Sequence, residues 1–281
     1  MKLNYANQRI LITGASAGIG REMAYLLAEK SPKCLVLVAR RATELELIQS
    51  ELCERYPQLN ILVCPCDLGQ KDDIDHLMHR ISLEIGAVDI LINNAGLGDY
   101  GLFEDSEWDK VERMLRVNIE GLTYLSHRVL PAMIALGRGG ILNVSSGLGF
   151  FFMPGMAVYA ATKHYVTAFT EALRVECHKT GVVIAQSCPG PVLTEFSQVA
   201  NMQSTGERYP RTVVLDAKTC AKQSLDGFAR GQAITIPGAL VRLGTRLGWW
   251  VPRSWQRLAL SGIRQKHQPK PPIPTQAALN T

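Results

Sequence analysis

The sequence has no run of about 18 uninterrupted apolar residues, so no membrane-crossing helix is expected. Its first nine residues hold no apolar core of the kind a secretory leader needs, and no leader is read there. Cysteine occurs seven times, at 34, 53, 64, 66, 177, 188 and 220, without the paired framework that staples small secreted domains. That usage points to a reducing, cytoplasmic setting. Cys64-Pro-Cys66 lacks a second Cys/His pair at ligand spacing, so no metal site is assigned and both thiols are read as small buried side chains. Acidic residues are missing altogether from Gly238 to Thr281, a stretch with seven Lys/Arg; the preceding 237 residues hold 23 Lys/Arg against 25 Asp/Glu. The basic character therefore belongs to the C-terminal segment, and no basic face of the body suggests nucleic acid.

What is present is an alternation. Hydrophobic residues at 47% and charged residues at 20% over 281 positions are enough for one large domain with its own core. Apolar runs of four to six residues are predicted as strands at 9–13, 34–39, 60–64, 89–92, 140–144, 182–187 and 233–236. Stretches of helical period separate them, at 19–30, 43–56, 71–84, 106–136, 158–179 and 216–229. The runs are apolar almost throughout, as expected for a parallel sheet covered by helices on both faces. Residues 1–237 form the expected main domain. Residues 238–267 read as a basic amphipathic helical extension interrupted at Pro252, and 268–281 as a flexible Pro-rich tail.

The first strand runs into Thr13-Gly14-Ala15-Ser16-Ala17-Gly18-Ile19-Gly20 and then a helix. Glycines at that place let a dinucleotide pyrophosphate approach the backbone and the helix N-terminus. An acid at the end of the second strand would select NAD by binding the ribose 2′-hydroxyl. The chain instead has Arg40-Arg41, and Arg40 is suited to a 2′-phosphate, so NADP(H) is the expected cofactor.

Further on come Asn93-Asn94-Ala95-Gly96 after the fourth strand, Asn118 within a long helix, Ser145-Ser146 after the fifth strand, and Tyr159 four residues before Lys163. A Tyr and a Lys four apart share one helix face. Phenol, with a reference pKa of about 10, is a poor acid/base near neutrality. An adjacent ammonium and the cationic nicotinamide would bring it toward working pH, and a serine hydroxyl would hold the reacting oxygen. Singly these features are common; their order after a dinucleotide turn is not.

In that order the motifs resemble those of the short-chain dehydrogenase/reductase family, in its shorter single-domain form, from Thr13 to Thr194. The resemblance implies a doubly wound, Rossmann-type three-layer sandwich with a central parallel seven-stranded sheet, plus a helical C-terminal lid. It implies hydride transfer between NADP(H) and a carbonyl or alcohol, with Tyr159 as acid/base, Ser146 positioning the carbonyl, Lys163 binding the nicotinamide ribose and Asn118 holding a relay water. Gly14, Ser16, Gly18, Ile19, Gly20, Arg40, Asp67, Leu68, Asn94, Ala95, Gly96, Tyr159, Lys163, Pro189, Gly190, Val192 and Thr194 are the cofactor contacts it implies. Many NADP-preferring relatives carry a base in the glycine turn where this chain has Ala17, leaving Arg40 as the main phosphate anchor. Relatives commonly pair the helices at 106–136 and 158–179, which implies a homodimer or homotetramer. A non-catalytic NADP-binding redox sensor or scaffold is the alternative.

The segments expected around the substrate are apolar: Leu97, Tyr100, Leu102 and Phe103; Phe150-Phe151-Phe152-Met153 with Met156; Val199 and Met202. They suit a bulky lipophilic ketone or aldehyde, such as a steroid, lipid or aromatic compound. The Phe run also reads as packing under a lid or at a subunit contact. In the extension, Arg242, Arg246, Arg253, Arg257 and Arg264 fall on one helical stripe, with Leu240, Leu247, Val251 and Leu258 largely opposite. Two readings stay open: a lid whose arginines face water, and peripheral contact with an anionic membrane.

Overall fold

The computed structural model describes residues 2–200, 210 and 212–262. Met202, Arg264 and the expected tail at 268–281 lie outside the described residues, as does the end of the extension from 263.

The chain forms β1 (Arg9–Thr13), α1 (Gly18–Ala28), β2 (Cys34–Ala39), α2 (Ala42–Arg55), β3 (Asn60–Pro65), α3 (Lys71–Glu84), β4 (Ile90–Asn93) and α4 (Trp108–Leu115). There follow α5 (Leu122–Ala135), β5 (Gly139–Val144), α6 (Ala157–Glu176), β6 (Val182–Ser187), β7 (Val192–Leu193) and α7 (Phe196–Val199). The chain continues with β8 (Leu215–Asp216), α8 (Ala217–Ala229), β9 (Ile234–Thr235), α9 (Ala239–Gly248) and α10 (Arg253–Leu260). The seven strands expected from the apolar runs pair in parallel in one sheet, in the order β3-β2-β1-β4-β5-β6-β9. The fold is the doubly wound three-layer sandwich, with helical segments after the last strand.

Each strand sends alternate side chains to opposite faces. Ile10, Ile12, Leu35 and Leu37 meet Met23, Leu27, Leu45, Leu52 and Phe228 from α1, α2 and α8. Leu11, Val36 and Val38 meet Ile74, Leu77, Leu125, Val129 and Leu173 from α3, α5 and α6. Both faces are covered, so the strands are apolar almost throughout, with Asn93, Asn143, Gln186 and Ser187 as buried polar positions toward the strand ends. The order reverses between β1 and β4. That reversal opens a crevice at the carboxyl ends of the strands, where the glycine turn and Asn94 meet.

The helix expected at 106–136 is more complex than its periodicity suggested. It starts at Trp108, and between α4 and α5 it passes through a π-helical stretch, Arg116–Gly121, that contains Asn118. A Cβ on Gly121 would collide with the Leu68 carbonyl oxygen, so this stretch lies directly against the backbone after β3.

Candidate active site

Two openings lie side by side along the strand ends. The first is a cleft of about 350 Å³ lined by Gly14, Ser16, Gly18, Ile19, Arg40, Arg41, Asp67, Leu68, Asn94, Ala95, Gly96 and Thr194, among others. Its floor is organised by Thr13, whose hydroxyl accepts from the backbone N–H of Asn94 (2.9 Å) and of Ala95 (3.0 Å). The Asn94 amide in turn donates to the Thr13 carbonyl at 3.0 Å. Gly14 takes φ +65°, a conformation that favours glycine. Gly20 is also required by packing. It is buried and lines no cleft, and a Cβ there would run into the Gly14 carbonyl oxygen and the Asn94 amide. Gly20 thus lets the start of α1 pack against the turn.

At the rim, Arg41 donates to Ser16 Oγ at 3.2 Å and pairs with Glu195 at 3.0 Å, while Arg40 lines the same wall. Asp67 faces the cleft with its carboxylate engaged, by Arg113 at 3.1 Å and by the Gly69 N–H at 3.0 Å. Among the described residues both acids lining the cleft are therefore paired with arginine.

The second opening, about 290 Å³, is lined by Ser146, Tyr159, Leu148, Met153, Met156, Pro189, Gly190, Val192, Phe196 and Val241, among others. Phe196 belongs to both walls, and its ring centroid lies 5.6 Å from that of Tyr159. Tyr159 and Lys163 share the inner face of α6 and are both buried. Lys163 Nζ donates to the Val144 carbonyl at 2.9 Å and lies 5.7 Å from the centroid of the Tyr159 ring. The two serines after β5 divide: Ser145 Oγ donates to the Lys163 carbonyl (3.1 Å) and locks α6 to the sheet. Ser146 Oγ accepts from Leu148 N at 3.1 Å, which starts a short 3₁₀ turn, and faces the cavity.

Asn118 closes on Leu97: its Oδ1 accepts from Leu97 N and its Nδ2 donates to Leu97 O, both at 2.8 Å, and Nδ2 also donates to Thr162 at 3.1 Å. A Cβ built on Gly96 would lie 3.4 Å from Lys163 Nζ and 3.5 Å from Asn118 Oδ1, so both side chains converge on the Gly96 backbone. Burial pushes the Tyr159 phenol up to about 12, with the Ser146 hydroxyl acting in the opposite direction. Burial likewise holds the Lys163 ammonium down to about 8. In the protein alone desolvation is the largest influence on both groups.

The family profile described as short chain dehydrogenase matches residues 8–205. The chain belongs to the short-chain dehydrogenase/reductase family. It is 34% identical over 236 residues to the NADP-dependent 3-hydroxy acid dehydrogenase of Schizosaccharomyces pombe, covering 83% of this chain and 91% of that one. Among solved structures it is similar to a short-chain dehydrogenase from Sphingobium yanoikuyae in complex with NADPH, with TM-score 0.76 and 28% identity, over 96% and 99% of the two chains. It is also similar to the bulky-bulky ketone specific alcohol dehydrogenase from Comamonas testosteroni, with TM-score 0.73 and 28% identity, over 97% and 98%.

As in other dehydrogenases of this family, the site is assembled from residues far apart in sequence. Several were not foreseen. Arg41, Glu195, Phe196, Thr13 and Val241 join it, and a buried polar ladder braces it: Asn93 Nδ2 donates to Ser126 and Asn143 (both 2.9 Å), and Asn143 donates to Thr170 (2.9 Å). The aromatic run corrects an expectation. Phe150 packs edge-on against Trp249 at 5.3 Å, the Phe151 ring lies over Gly248, and Phe152 faces α10. These rings seat the C-terminal helices and do not line the Tyr159 cavity, whereas Met153 and Met156 do. Leu97 faces the first cleft, Tyr100 lies over Gly155, and Phe103 is largely exposed. The side chain of Val199 lies outside what is described. Cys64 and Cys66 are buried, and burial pushes their thiols up to about 11 and about 12, which leaves them protonated near neutral pH.

Proposed function

We propose that this oxidoreductase transfers hydride between NADP(H) and a bulky lipophilic ketone or aldehyde, with Tyr159 as general acid/base. The observation that carries the reading is the convergence of Ser146 and Tyr159 on one apolar cavity, with Lys163 buried behind the phenol.

The first cleft fits an NADP dinucleotide. A left-handed Gly14 and the start of α1 form a turn of exposed backbone, β2 ends without a carboxylate, and Arg40 and Arg41 stand beside Ser16. Arg40, Arg41 and Ser16 would hold the 2′-phosphate, Asp67 and Leu68 would flank the adenine, and Asn94, Ala95 and Gly96 would line the middle. Pro189, Gly190, Val192 and Thr194 would border the nicotinamide end, with the Lys163 ammonium at its ribose. Bound NADPH supplies the hydride that reaches the carbonyl carbon.

The chain's own residues handle the proton. The Ser146 hydroxyl donates a hydrogen bond to the carbonyl oxygen as charge develops on it, and the Tyr159 Oη–H transfers its proton to that oxygen. A phenol held protonated by burial suits the reducing direction. Lys163 stabilises the resulting phenolate. Asn118, by closing on Leu97, fixes the backbone beside Lys163 along which the lost proton is replaced from solvent.

The second cavity has no charged lining residue among those described, and its walls of Leu148, Met153, Met156, Val192, Phe196 and Val241 favour an apolar substrate. The specificity of the Comamonas relative for bulky ketones supports the same class. The exposed Ile134 on α5, Leu136 just after it and Tyr165 on α6 support pairing of two copies through those helices.

Reduction of a panel of aromatic, steroid and long-chain ketones by NADPH tests the reading. Tyr159→Phe is expected to lower kcat/KM about 10³-fold with cofactor affinity unchanged. Arg40→Ala and Arg41→Ala are expected to weaken NADPH use far more than NADH use. Full activity in Tyr159→Phe, or equal effects on the two cofactors, would overturn the corresponding part.

A further inference from the structure

Helix α9 meets the rest of the protein through Val241, Thr245 and Gly248. Val241 lines the Tyr159 cavity, Thr245 is buried, and Gly248 lies under the Phe151 ring. At 3.6 residues per turn the opposite side of the helix carries Leu240, Leu243, Leu247 and Trp250. All four are exposed, Trp250 by 87%. Arg242 and Arg246 face water as the lid reading expects, but so do these leucines.

The apolar surface continues beyond the helix. Val251 is exposed, and on α10 Trp255 and Leu258 are 70% and 78% exposed, on the side away from Leu260, which packs near Phe152 and Pro154. A soluble face of this length rarely carries seven large apolar residues without a covering partner.

The charges beside this surface say what covers it. Arg242 and Arg246 flank the α9 stripe; on α10, Arg253 and Arg257 lie toward the Leu260 side, Arg257 lining the same hollow as Leu260. None of the four forms an ion pair among the described residues, and no Asp or Glu occurs between Gly238 and Thr281. A second copy meeting this face would bring like charges together. Among the described residues no helix is long and apolar enough to cross a bilayer, but leucines and tryptophans beside arginines without acidic partners match a helix pair lying in the interface of anionic lipid.

We propose that α9 and α10 dock the protein onto an anionic membrane surface, with Leu240, Leu243, Leu247, Trp250, Trp255 and Leu258 entering the acyl boundary. The docking is independent of the hydride-transfer reading, and its test uses no turnover. Purified full-length protein is floated with vesicles of phosphatidylglycerol and phosphatidylcholine in equal parts, and with vesicles of phosphatidylcholine alone.

Most of the protein is expected to float with the anionic vesicles and little with the neutral ones. High salt should reduce the binding, and Arg246→Gln should weaken it about fivefold. Leu243→Glu/Trp250→Glu should abolish flotation. Both side chains are exposed, so its melting temperature should match the parent; if it does not fold, Leu243→Ser/Trp250→Ser provides the same comparison. Equal flotation with neutral vesicles, or undiminished flotation of a folded double variant, would overturn the proposal. So would a protein that fails to float yet forms a dimer in solution that the double variant dissociates, since the face would then cover a second copy.

Discussion

A lysine ammonium sealed inside a protein with a single carbonyl partner weakens the fold that holds it. Lys163 is such a group: buried, bonded to Val144 O at 2.9 Å, and shifted down from 10.5 to about 8 by its burial. A cation whose folded pKa lies below its unfolded value opposes folding fully below the folded pKa, and the penalty fades as pH rises toward the unfolded one. Lys163→Met is therefore expected to be more stable than the parent at pH 7, by about 1–3 kcal/mol. The difference should shrink between pH 8 and 10.5, the two values that bound the shift. Thermal denaturation of both proteins across that range measures it, and the variant should have lost its oxidoreductase activity. A variant that is less stable at pH 7 would mean that the Val144 bond outweighs desolvation. Lys163, Tyr159 and Ser146 were legible from sequence because their chemistry needs particular side chains at fixed local spacing. The pair of Arg41 with Glu195 was not, because its members are 154 residues apart and either, read alone, is an ordinary surface charge.

The π-helical stretch Arg116–Gly121 shows what periodicity loses at the level of an element. One widened turn leaves the apolar spacing of a long helix almost intact, so the sequence reads as a single helix from 106 to 136. The structure instead turns Asn118 toward Leu97 and sets Gly121 on the backbone after β3. π-Helical turns commonly accompany functional sites. Here the turn connects the Asp67–Leu68 end of the cleft with the Lys163 side, through Asn118. In Gly121→Ala the added methyl would meet the Leu68 carbonyl carbon at 3.2 Å and its oxygen closer still. Overpacking against backbone is expected to destabilise the protein by about 1–3 kcal/mol. Because Leu68 lines the cleft, NADPH affinity should fall with it. A thermal melt together with a fluorescence titration of NADPH checks both; a stable variant with parental affinity would show that the two stretches of backbone move apart freely. The strands, by contrast, were read almost to the residue, since a parallel sheet covered on both faces requires continuous apolar runs whatever its neighbours.

Over the whole molecule, the C-terminal helices return across the body to finish a cavity begun more than 90 residues earlier at Ser146. Their existence was plain from sequence, including the break at Pro252. Their orientation was not, because α9 carries large apolar residues on more than one face, and only packing against Gly190 and Phe151 selects the Val241 side. A Cβ on Gly190 would come within 2.8 Å of the Val241 side chain, so the helix is seated closely there. Val241 is consequently the place where the extension touches the chemistry without taking part in it. Val241→Trp should fill part of the cavity of about 290 Å³ from the lid side, leaving Ser146, Tyr159 and Lys163 in place. Activity on bulky ketones is expected to fall at least about tenfold in kcat/KM, with small ketones changed by less than about threefold. NADPH affinity should stay at the parental value, because Val241 lines only the second cavity. Equal losses on large and small ketones would instead place the lid's influence on the catalytic groups themselves, and would reassign Val241 from shaping the substrate space to holding the active site together.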